Sequence, residues 1–393
     1  MKKVELLSPA GDLERLKVTL LYGADAVYIG GREYSMRANA NNFSLDEIAY
    51  ACEFAHNLGK KVYLTLNIVF HNEDLPKVED YIKKVVNVGI DAFIVSDPFL
   101  INYIKNNYNV EVHLSTQSST TNIEAVKFYK NEGINRVVLA RELSIPEIKE
   151  IIDNTGIDIE VFIHGAMCTF YSGRCVLSNY VTNRDSNRGG CAQVCRFAFD
   201  NSVSPNKFTM ATKDLNTARL IKDLIDIKVR SLKVEGRMRS LYYLAIVIGT
   251  YRKIIDNIYD NTLTKELISK YEHILSRVAN RETSSHYLTK KADYTDQYYT
   301  GRQELSNQDF LGIIKSYDKE NKIITLTQRN YFKTGDKVVI FTPTGKEYKF
   351  IINKVLDENL NDIGVARHPE EIIKIPIDFT YIYEEYSMIR KDN

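Results

Sequence analysis

The sequence predicts an α/β protein: a TIM-like (β/α)8 barrel with a helical extension and a small C-terminal β-barrel domain. Eight short apolar runs recur in the first 240 residues, and amphipathic stretches separate them. Continuous apolar runs are typical of strands buried on both faces of a parallel sheet. Eight strand–helix units of roughly 30 residues favour a closed barrel, with a doubly wound open sheet as the alternative.

The barrel elements are read from periodicity. The predicted strands are Val4–Leu7, Ala26–Ile29, Lys61–Leu66, Ala92–Val95, Glu111–Leu114, Arg136–Leu139, Ile159–Ile163 and Ser231–Val234. The helical stretches between them include residues 44–58, 75–88, 122–133 and 144–155. Ser44 and Ser144 each precede a glutamate by three residues, which is the capping-box pattern of a helix start.

The domain boundaries follow from changes in this pattern. We expect the barrel over residues 1–240, with a cysteine-rich insertion at 164–200 that fills the overlong interval before the eighth strand. A helical extension and linker, with helices over 242–256 and 265–278, is predicted for 241–304. The C-terminal β-barrel domain is predicted for 305–393, with strands at Gly312–Tyr317, Lys322–Gln328, Lys337–Phe341, Tyr348–Val355 and Thr380–Tyr383.

Composition excludes several classes of protein. The net charge is +1, no polybasic run stands out, and 44% of the residues are hydrophobic. The N-terminus lacks the apolar core of a signal peptide, and no apolar run reaches the roughly 20 residues that cross a bilayer. We therefore expect a cytoplasmic protein that does not enter a membrane. In that reducing compartment, clustered cysteines indicate a metal or redox role over structural disulfides.

Four of the five cysteines lie close together in the sequence, with the spacing C-x6-C-x15-C-x3-C from Cys168 through Cys175 and Cys191 to Cys195. Four thiolates can bind one soft metal centre. Structural zinc sites usually pair cysteines as C-x2-4-C, which only the last two match. An iron–sulfur cluster accepts ligands from separated turns, so spacing alone leaves both metals open. The fifth cysteine, Cys52, lies in an apolar helical pattern and is predicted to belong to the core.

Polar residues cluster where the predicted strands end, and in a barrel the strand ends share one pocket. Each could individually be a cap or a loop ion pair, but together they indicate a site. We expect catalytic roles for His164, Glu235 and Arg237. The predicted substrate-binding residues are Asn67, His113, Gln117, Arg141, Arg188 and Lys233. The zinc-peptidase, serine-hydrolase and P-loop motifs are all missing.

These segments together resemble a known family. Between Glu160 and Ser178 the sequence reads E-x-F-x-x-G-A-M-C-x4-G-x-C-x-L-S, which is similar to the signature of the collagenase-like peptidases of unassigned catalytic type, peptidase family U32. Residues 5–11 (E-L-L-S-P-A-G), 190–196 (G-C-A-Q-x-C-R) and 231–240 (S-L-K-V-E-G-R-M-R-S) also resemble family segments. The resemblance covers nearly the whole chain, including the C-terminal domain.

The resemblance implies a function. Better-supported members of the family act in oxygen-independent hydroxylation of tRNA wobble uridine, of a 23S rRNA cytidine or of a ubiquinone precursor. It implies a four-iron cluster (4Fe-4S) on Cys168, Cys175, Cys191 and Cys195, with prephenate as co-substrate and tRNA as partner. We therefore expect a tRNA hydroxylase forming 5-hydroxyuridine. The alternatives are a collagenase-like metal-dependent peptidase, zinc as the metal, and a non-catalytic partner of a paralogous protein.

Overall fold

The computed structural model describes residues 3–36, 42–200, 202, 207–279, 281–298 and 309–392. The first ten strands are β1 Glu5–Pro9, β2 Ala26–Gly30, β3 Lys61–Leu66, β4 Ala92–Val95, β5 Glu111–Leu114, β6 Arg136–Val138, β7 Asp158–Gly165, β8 Ala211–Thr212, β9 Asp214–Asn216 and β10 Ser231–Val234. The helices are α1 Leu13–Leu21, α2 Leu45–Asn57, α3 Leu75–Asn87, α4 Pro98–Asn107, α5 Ile123–Asn131, α6 Ile145–Thr155, α7 Leu177–Thr182, α8 Ile221–Asp226, α9 Leu241–Tyr259 and α10 Lys265–Val278.

Strands β1 to β7 and β10 form a closed barrel, which confirms the predicted fold class. Consecutive strands from β1 to β7 pair in parallel, and β10 closes the ring by pairing in parallel with both β7 and β1. At the closure Ser231 lies beside Glu5 on one side and Glu160 on the other. All eight strand ends therefore face the same rim, where barrel proteins build their sites.

Helices surround the barrel, and their starts follow local sequence signals. Both predicted capping boxes are present, Ser44 with Glu47 before α2 and Ser144 with Glu147 before α6. Helix α9 packs against α1 and β1 and buries eleven of its residues, so it is the eighth helix of the barrel. The predicted boundary at 240 was thus too early, because α9 completes the barrel before the chain reaches α10.

The C-terminal domain is antiparallel. Its strands are β13 Phe310–Asp318, β14 Ile323–Gln328, β15 Phe332–Lys333, β16 Lys337–Phe341, β17 Glu347–Ile351, β18 Val365–Ala366, β19 Ile372–Pro376 and β20 Met388–Lys391; before it, β11 Thr283–Ser284 and β12 Gln297–Tyr298 are short. Six of the domain's strands form one sheet in the order β17-β16-β20-β13-β14-β19, and an isolated bridge joins Leu356, after the edge strand β17, to Lys374 of the other edge strand β19. The strand predicted at Thr380–Tyr383 was wrong: that segment is unpaired, and its Tyr381 packs in the core.

The two domains are in direct contact. Tyr242 of α9 stacks on Phe310 with ring centroids 4.7 Å apart, and the Tyr22 hydroxyl donates to the Tyr386 carbonyl at 2.9 Å. Arg277 of α10 pairs with Asp309. Among the described residues, no helix combines the length and apolar character needed to cross a membrane.

Candidate functional site

The cysteine segment leaves the barrel at the end of β7. Gly165 has φ +105°, and a Cβ atom there would lie 2.4 Å from the Glu235 carbonyl oxygen. Only glycine fits both this backbone conformation and this close approach. The segment that carries Cys168 therefore starts directly beside the strand end that carries Glu235.

All four clustered cysteines line one cavity of about 410 Å³ above the barrel rim. Cys191 is exposed, whereas Cys168, Cys175 and Cys195 are half-buried. The cavity volume suits a bound group of small-molecule size. The cysteines that the spacing grouped in sequence are therefore grouped in space as well, around a common volume; Cys52 lies in the core, as predicted.

The sulfurs have distinct surroundings. The Leu177 N–H donates to the Cys175 sulfur at 3.2 Å, the kind of contact that stabilises a metal-bound thiolate. Burial raises the pKa values of Cys168 and Cys195, which favours the thiol form of both. Binding a metal would require each of them to lose its proton. In the part of the chain that the structure describes, no three His, Cys, Asp or Glu side chains are placed to hold a single metal ion.

Hydrogen bonds order the cysteine segment internally and also hold it to the barrel rim. The Asn187 side chain accepts from the Cys175 N–H at 3.1 Å and donates to the Cys175 carbonyl at 2.8 Å. Arg188 makes a two-pronged ion pair with Asp74, at 2.6 and 2.9 Å, and donates to the Val69 carbonyl. Arg188 was predicted to bind substrate, but the structure places it away from the cavity, as an anchor of the segment to the loop after β3.

A second, smaller pocket of about 70 Å³ lies at the barrel mouth. Its lining includes Asn67, Gln117, Arg141, Lys233, Glu235 and Arg237, each where strand-end reasoning predicted it. Four of these, Gln117, Arg141, Glu235 and Arg237, also line the cysteine cavity. The mouth pocket and the cysteine cavity are thus adjacent parts of one site.

The two arginines of the mouth pocket, Arg141 and Arg237, are held in place by neighbouring groups. The Arg141 guanidinium lies 4.0 Å from the Phe162 ring centroid, donates to the Ala166 carbonyl at 2.9 Å, and lies 3.9 Å from the Glu235 carboxylate. Arg237 is buried and donates to the Ser35 hydroxyl at 2.7 Å. The positive charge at the mouth is therefore arranged before any ligand binds.

Below the mouth, a buried chain of charges runs through the barrel interior. Lys233 Nζ lies 2.9 Å from Glu160, Arg136 bridges Glu160 at 3.0 Å and Glu5 at 2.6 Å, and the Tyr63 hydroxyl donates to Glu5 at 2.8 Å. Burial alone would raise the pKa of Glu160, but Lys233 and Arg136 together lower it to about 2. The two cations and two carboxylates neutralise each other. Lys233 is the member of this charged network that also lines the floor of the mouth pocket.

Neither histidine among the predicted site residues lies in the pocket. His113 is fully buried in the interior, edge-on to Tyr63 and bonded to Glu111 at 3.1 Å. His164 points outward, because the pairing of β7 with β10 shifts register at Lys233/Val234. Its Nδ1 lies 3.1 Å from the Tyr251 hydroxyl of α9. The placement predicted for both side chains was wrong.

Several site residues were not predicted. Arg239 and Arg281 line the cysteine cavity, and both pair with the buried Asp214. Met36 lines both pockets, and Tyr28 lines the mouth pocket with its hydroxyl 3.3 Å from Glu235. The sequence did carry a signal for Tyr28, because alternate residues of a barrel strand face inward and Tyr28 is one of these in β2. Arg281 had none, since it follows α10, far along the chain.

The fold and site define a class: a closed α/β barrel whose rim carries a cysteine-lined cavity beside a cationic mouth. The chain belongs to peptidase family U32, since residues 11–298 match "Peptidase family U32" and residues 306–390 match "Peptidase family U32 C-terminal domain". The first range spans the barrel from α1 onward together with α10, β11 and β12, and the second spans the antiparallel domain. The family predicted from the cysteine motif is confirmed.

Relatives with curated names point mainly to RNA. The chain is 44% identical over 390 residues to tRNA hydroxylation protein P1 of Bacillus subtilis, covering 96% of this chain and 92% of that one. It is 39% identical over 264 residues to the 23S rRNA 5-hydroxycytidine C2501 synthase of Escherichia coli, covering 66% and 40%. It is 33% identical over 365 residues to a protein of Porphyromonas gingivalis named collagenase, covering 86% and 87%.

Proposed function

We propose that this protein is an RNA-modifying enzyme that hydroxylates the wobble uridine of tRNA to 5-hydroxyuridine, using an iron–sulfur cluster and prephenate. The observation that carries the proposal is the continuity of the four-cysteine cavity with a cationic mouth pocket. The relatives named for tRNA and rRNA hydroxylation support an RNA substrate. The similarity to tRNA hydroxylation protein P1 covers 96% of this chain, whereas the similarity to the rRNA synthase covers 66%, so tRNA is the favoured substrate.

The residues fit a cluster chemically. Cys168, Cys175, Cys191 and Cys195 line a single cavity, and four thiolates are the usual ligand set of a [4Fe–4S] cluster. When bound, the cluster supplies redox or Lewis-acid chemistry. Arg196 also lines this cavity, and Arg239 and Arg281, which share the single carboxylate of Asp214, add one further net positive charge. This positive charge would offset part of the negative charge of thiolate-bound iron.

The mouth pocket fits a carboxylate ligand. Arg141 and Arg237 present guanidinium groups, which suit carboxylates. Prephenate is a dicarboxylate, and Arg141 and Arg237 are the guanidinium groups in the pocket lining that its two carboxylates would meet. Lys233 at the floor pairs with Glu160, and Arg141 lies 3.9 Å from Glu235. Glu235 lies on the boundary between pocket and cavity and is the carboxylate placed to take or give a proton there. Arg237 would orient the anion.

The function is tested by nucleoside analysis. Deleting the gene in its host should remove 5-hydroxyuridine and its derivatives from digested tRNA, as measured by mass spectrometry, and the wild-type gene should restore them. Any paralogous pathway must be deleted as well, so that redundancy does not mask the loss. Unchanged tRNA hydroxylation in that strain would refute the proposed function.

The cofactor is tested on anaerobically purified protein. We expect iron and acid-labile sulfide in the wild type, and their loss in Cys168→Ala because one of four ligands is removed. Cys52→Ala is the matched control, since Cys52 lies on the buried face of α2. Stoichiometric zinc without sulfide would establish the alternative metal.

Peptidase activity is the second candidate, favoured by the name of the collagenase relative. Gelatin cleavage by purified protein, persisting when all four cysteines are replaced, would support a peptidase that does not use the cluster. A non-catalytic role beside a paralogous partner predicts instead that hydroxylation requires both proteins mixed.

A further inference from the structure

The cysteine segment has two sides, one on the cavity and one on solvent. Phe170 and Ser172 line the cavity, whereas Tyr171 between them is 52% exposed. Leu177 of α7 also lines the cavity, while Tyr180, nearly one turn on, is 86% exposed. A tyrosine ring that open has both faces available to a ligand.

Exposed apolar side chains are concentrated in the cysteine segment. Five of the eighteen large hydrophobic residues found exposed in the described ranges fall within the 30 residues from 168 to 197: Tyr171, Val176, Tyr180, Val181 and Phe197. Single exposed apolar residues are ordinary, but a group of them marks a contact surface. We call these five residues the outer aromatic surface.

The charge around this surface is positive. Arg174 and Arg184 are both exposed. Arg174 donates through Nε to the Gln117 carbonyl at 2.6 Å. Residues 168–197 contain four arginines and one acidic residue, Asp185, so their net charge is positive. Exposed guanidinium groups beside aromatic rings match a ligand with phosphates and planar bases.

The surface adjoins the cavity opening. The Ser178 hydroxyl of α7 accepts from the Ala192 N–H at 3.1 Å, so α7 lies against the segment that carries the exposed Cys191. A chain bound across α7 would reach the opening without crossing the barrel.

We propose that the outer aromatic surface binds single-stranded RNA, with a base stacked on Tyr180 and phosphates bound by Arg174 and Arg184. This rests on the proposed function and adds to it the surface that holds the substrate loop. Stacking on aromatic rings is tolerant of sequence, so it would hold the loop while the cavity selects the reacting base.

The test is direct binding of a fluorescent anticodon stem-loop RNA to the intact, cluster-loaded protein, measured by anisotropy. Stacking contributes about 1–3 kcal/mol per base, so Tyr180→Ala should raise Kd about 5- to 150-fold. Tyr180→Phe keeps the ring and should stay within about twofold of wild type. Arg184→Ala should reduce the slope of log affinity against log salt by about 0.7. Phe128→Ala removes an exposed ring from α5 (58% exposed, against 86% for Tyr180) and is the control away from this surface.

Iron and sulfide contents of each variant show that the cavity is intact. Wild-type affinity in Tyr180→Ala with a full cluster would overturn this proposal while leaving the tRNA-hydroxylation proposal standing. The proposal would also be overturned if Tyr180→Ala lost binding to a protein partner while its RNA affinity stayed unchanged, because the surface would then bind protein. If the Tyr180→Ala variant bound RNA more weakly but deletion of the gene left tRNA hydroxylation unchanged, the RNA-binding surface would be supported and the proposed reaction refuted.

Discussion

At the scale of single residues, His164 shows how a one-residue shift changes a role. The irregular pairing between β7 and β10 turns its ring outward, between Tyr243 and Tyr251 of α9. Only 2% of the residue is exposed, and burial lowers the pKa of His164 to about 4. The imidazole is therefore neutral in the folded protein at neutral pH and joins the barrel to its eighth helix.

This burial predicts a pH dependence of stability. The unfolded chain protonates His164 near its ordinary pKa of about 6.5, whereas the folded chain does so only near 4. Acid therefore favours unfolding between these two values, and stability is fully kept above about 6.5. Between pH 7.5 and pH 4.5, cluster-free wild type should lose about 2–3 kcal/mol more than His164→Gln in urea denaturation. Equal losses would contradict the neutral, buried assignment.

At the scale of elements, the cysteine segment has little regular structure of its own. Its one α-helix, α7, has six residues, and the remainder of the segment from 166 to 200 consists of 3-10 turns, loops and a single β-bridge residue, Phe199. Such a segment depends on side-chain anchors for its order. The paired bonds of Arg188 to Asp74 are one anchor, and the reciprocal bonds of Asn187 to Cys175 are another.

We predict that Arg188→Lys loosens the segment while keeping its charge. Lysine cannot reproduce the two-pronged geometry of a guanidinium on a carboxylate. Limited proteolysis within residues 169–196 should become several-fold faster, and iron retention should fall. The control is Lys149→Ala, which removes a surface ion pair with Asp153 on α6 and should change neither. An unchanged cleavage rate in Arg188→Lys would show that the anchor is dispensable.

At the scale of the whole molecule, the two domains share packing. The main hydrophobic core extends from the barrel helices to Ile313, Phe341 and Met388 of the C-terminal sheet. Tyr242 lies at the centre of this contact, against both Phe310 and Phe341. The domains are therefore expected to unfold together.

We expect Tyr242→Ala to uncouple the unfolding of the two domains. Removing a buried aromatic ring costs about 3–5 kcal/mol, and here the loss falls on the contact between the domains. Calorimetry should show one transition in wild type and two in the variant. Tyr242→Phe, which keeps the stacked ring, should retain a single transition. One cooperative transition in Tyr242→Ala would mean that other contacts suffice.

Local signals predicted most of the fold. The strands, the helix starts at Ser44 and Ser144, and the grouping of the cysteines depend on neighbours in sequence, so periodicity and spacing revealed them. The outward turn of His164 depends on how β7 pairs with β10. The role of Arg188 depends on Asp74, 114 residues away, and Arg281 lines the cavity where it pairs with Asp214, 67 residues away. These features arise from tertiary contacts, which no single segment encodes.

The buried charge chain constrains how the barrel can change over evolutionary time. Glu5, Arg136, Glu160 and Lys233 sum to zero, and each is almost completely removed from water. Replacing one of them alone would seal an uncompensated charge in the interior, at a cost of about 3–5 kcal/mol. Homologous barrels should therefore exchange these positions in pairs of opposite sign, so that the four behave as one inherited unit.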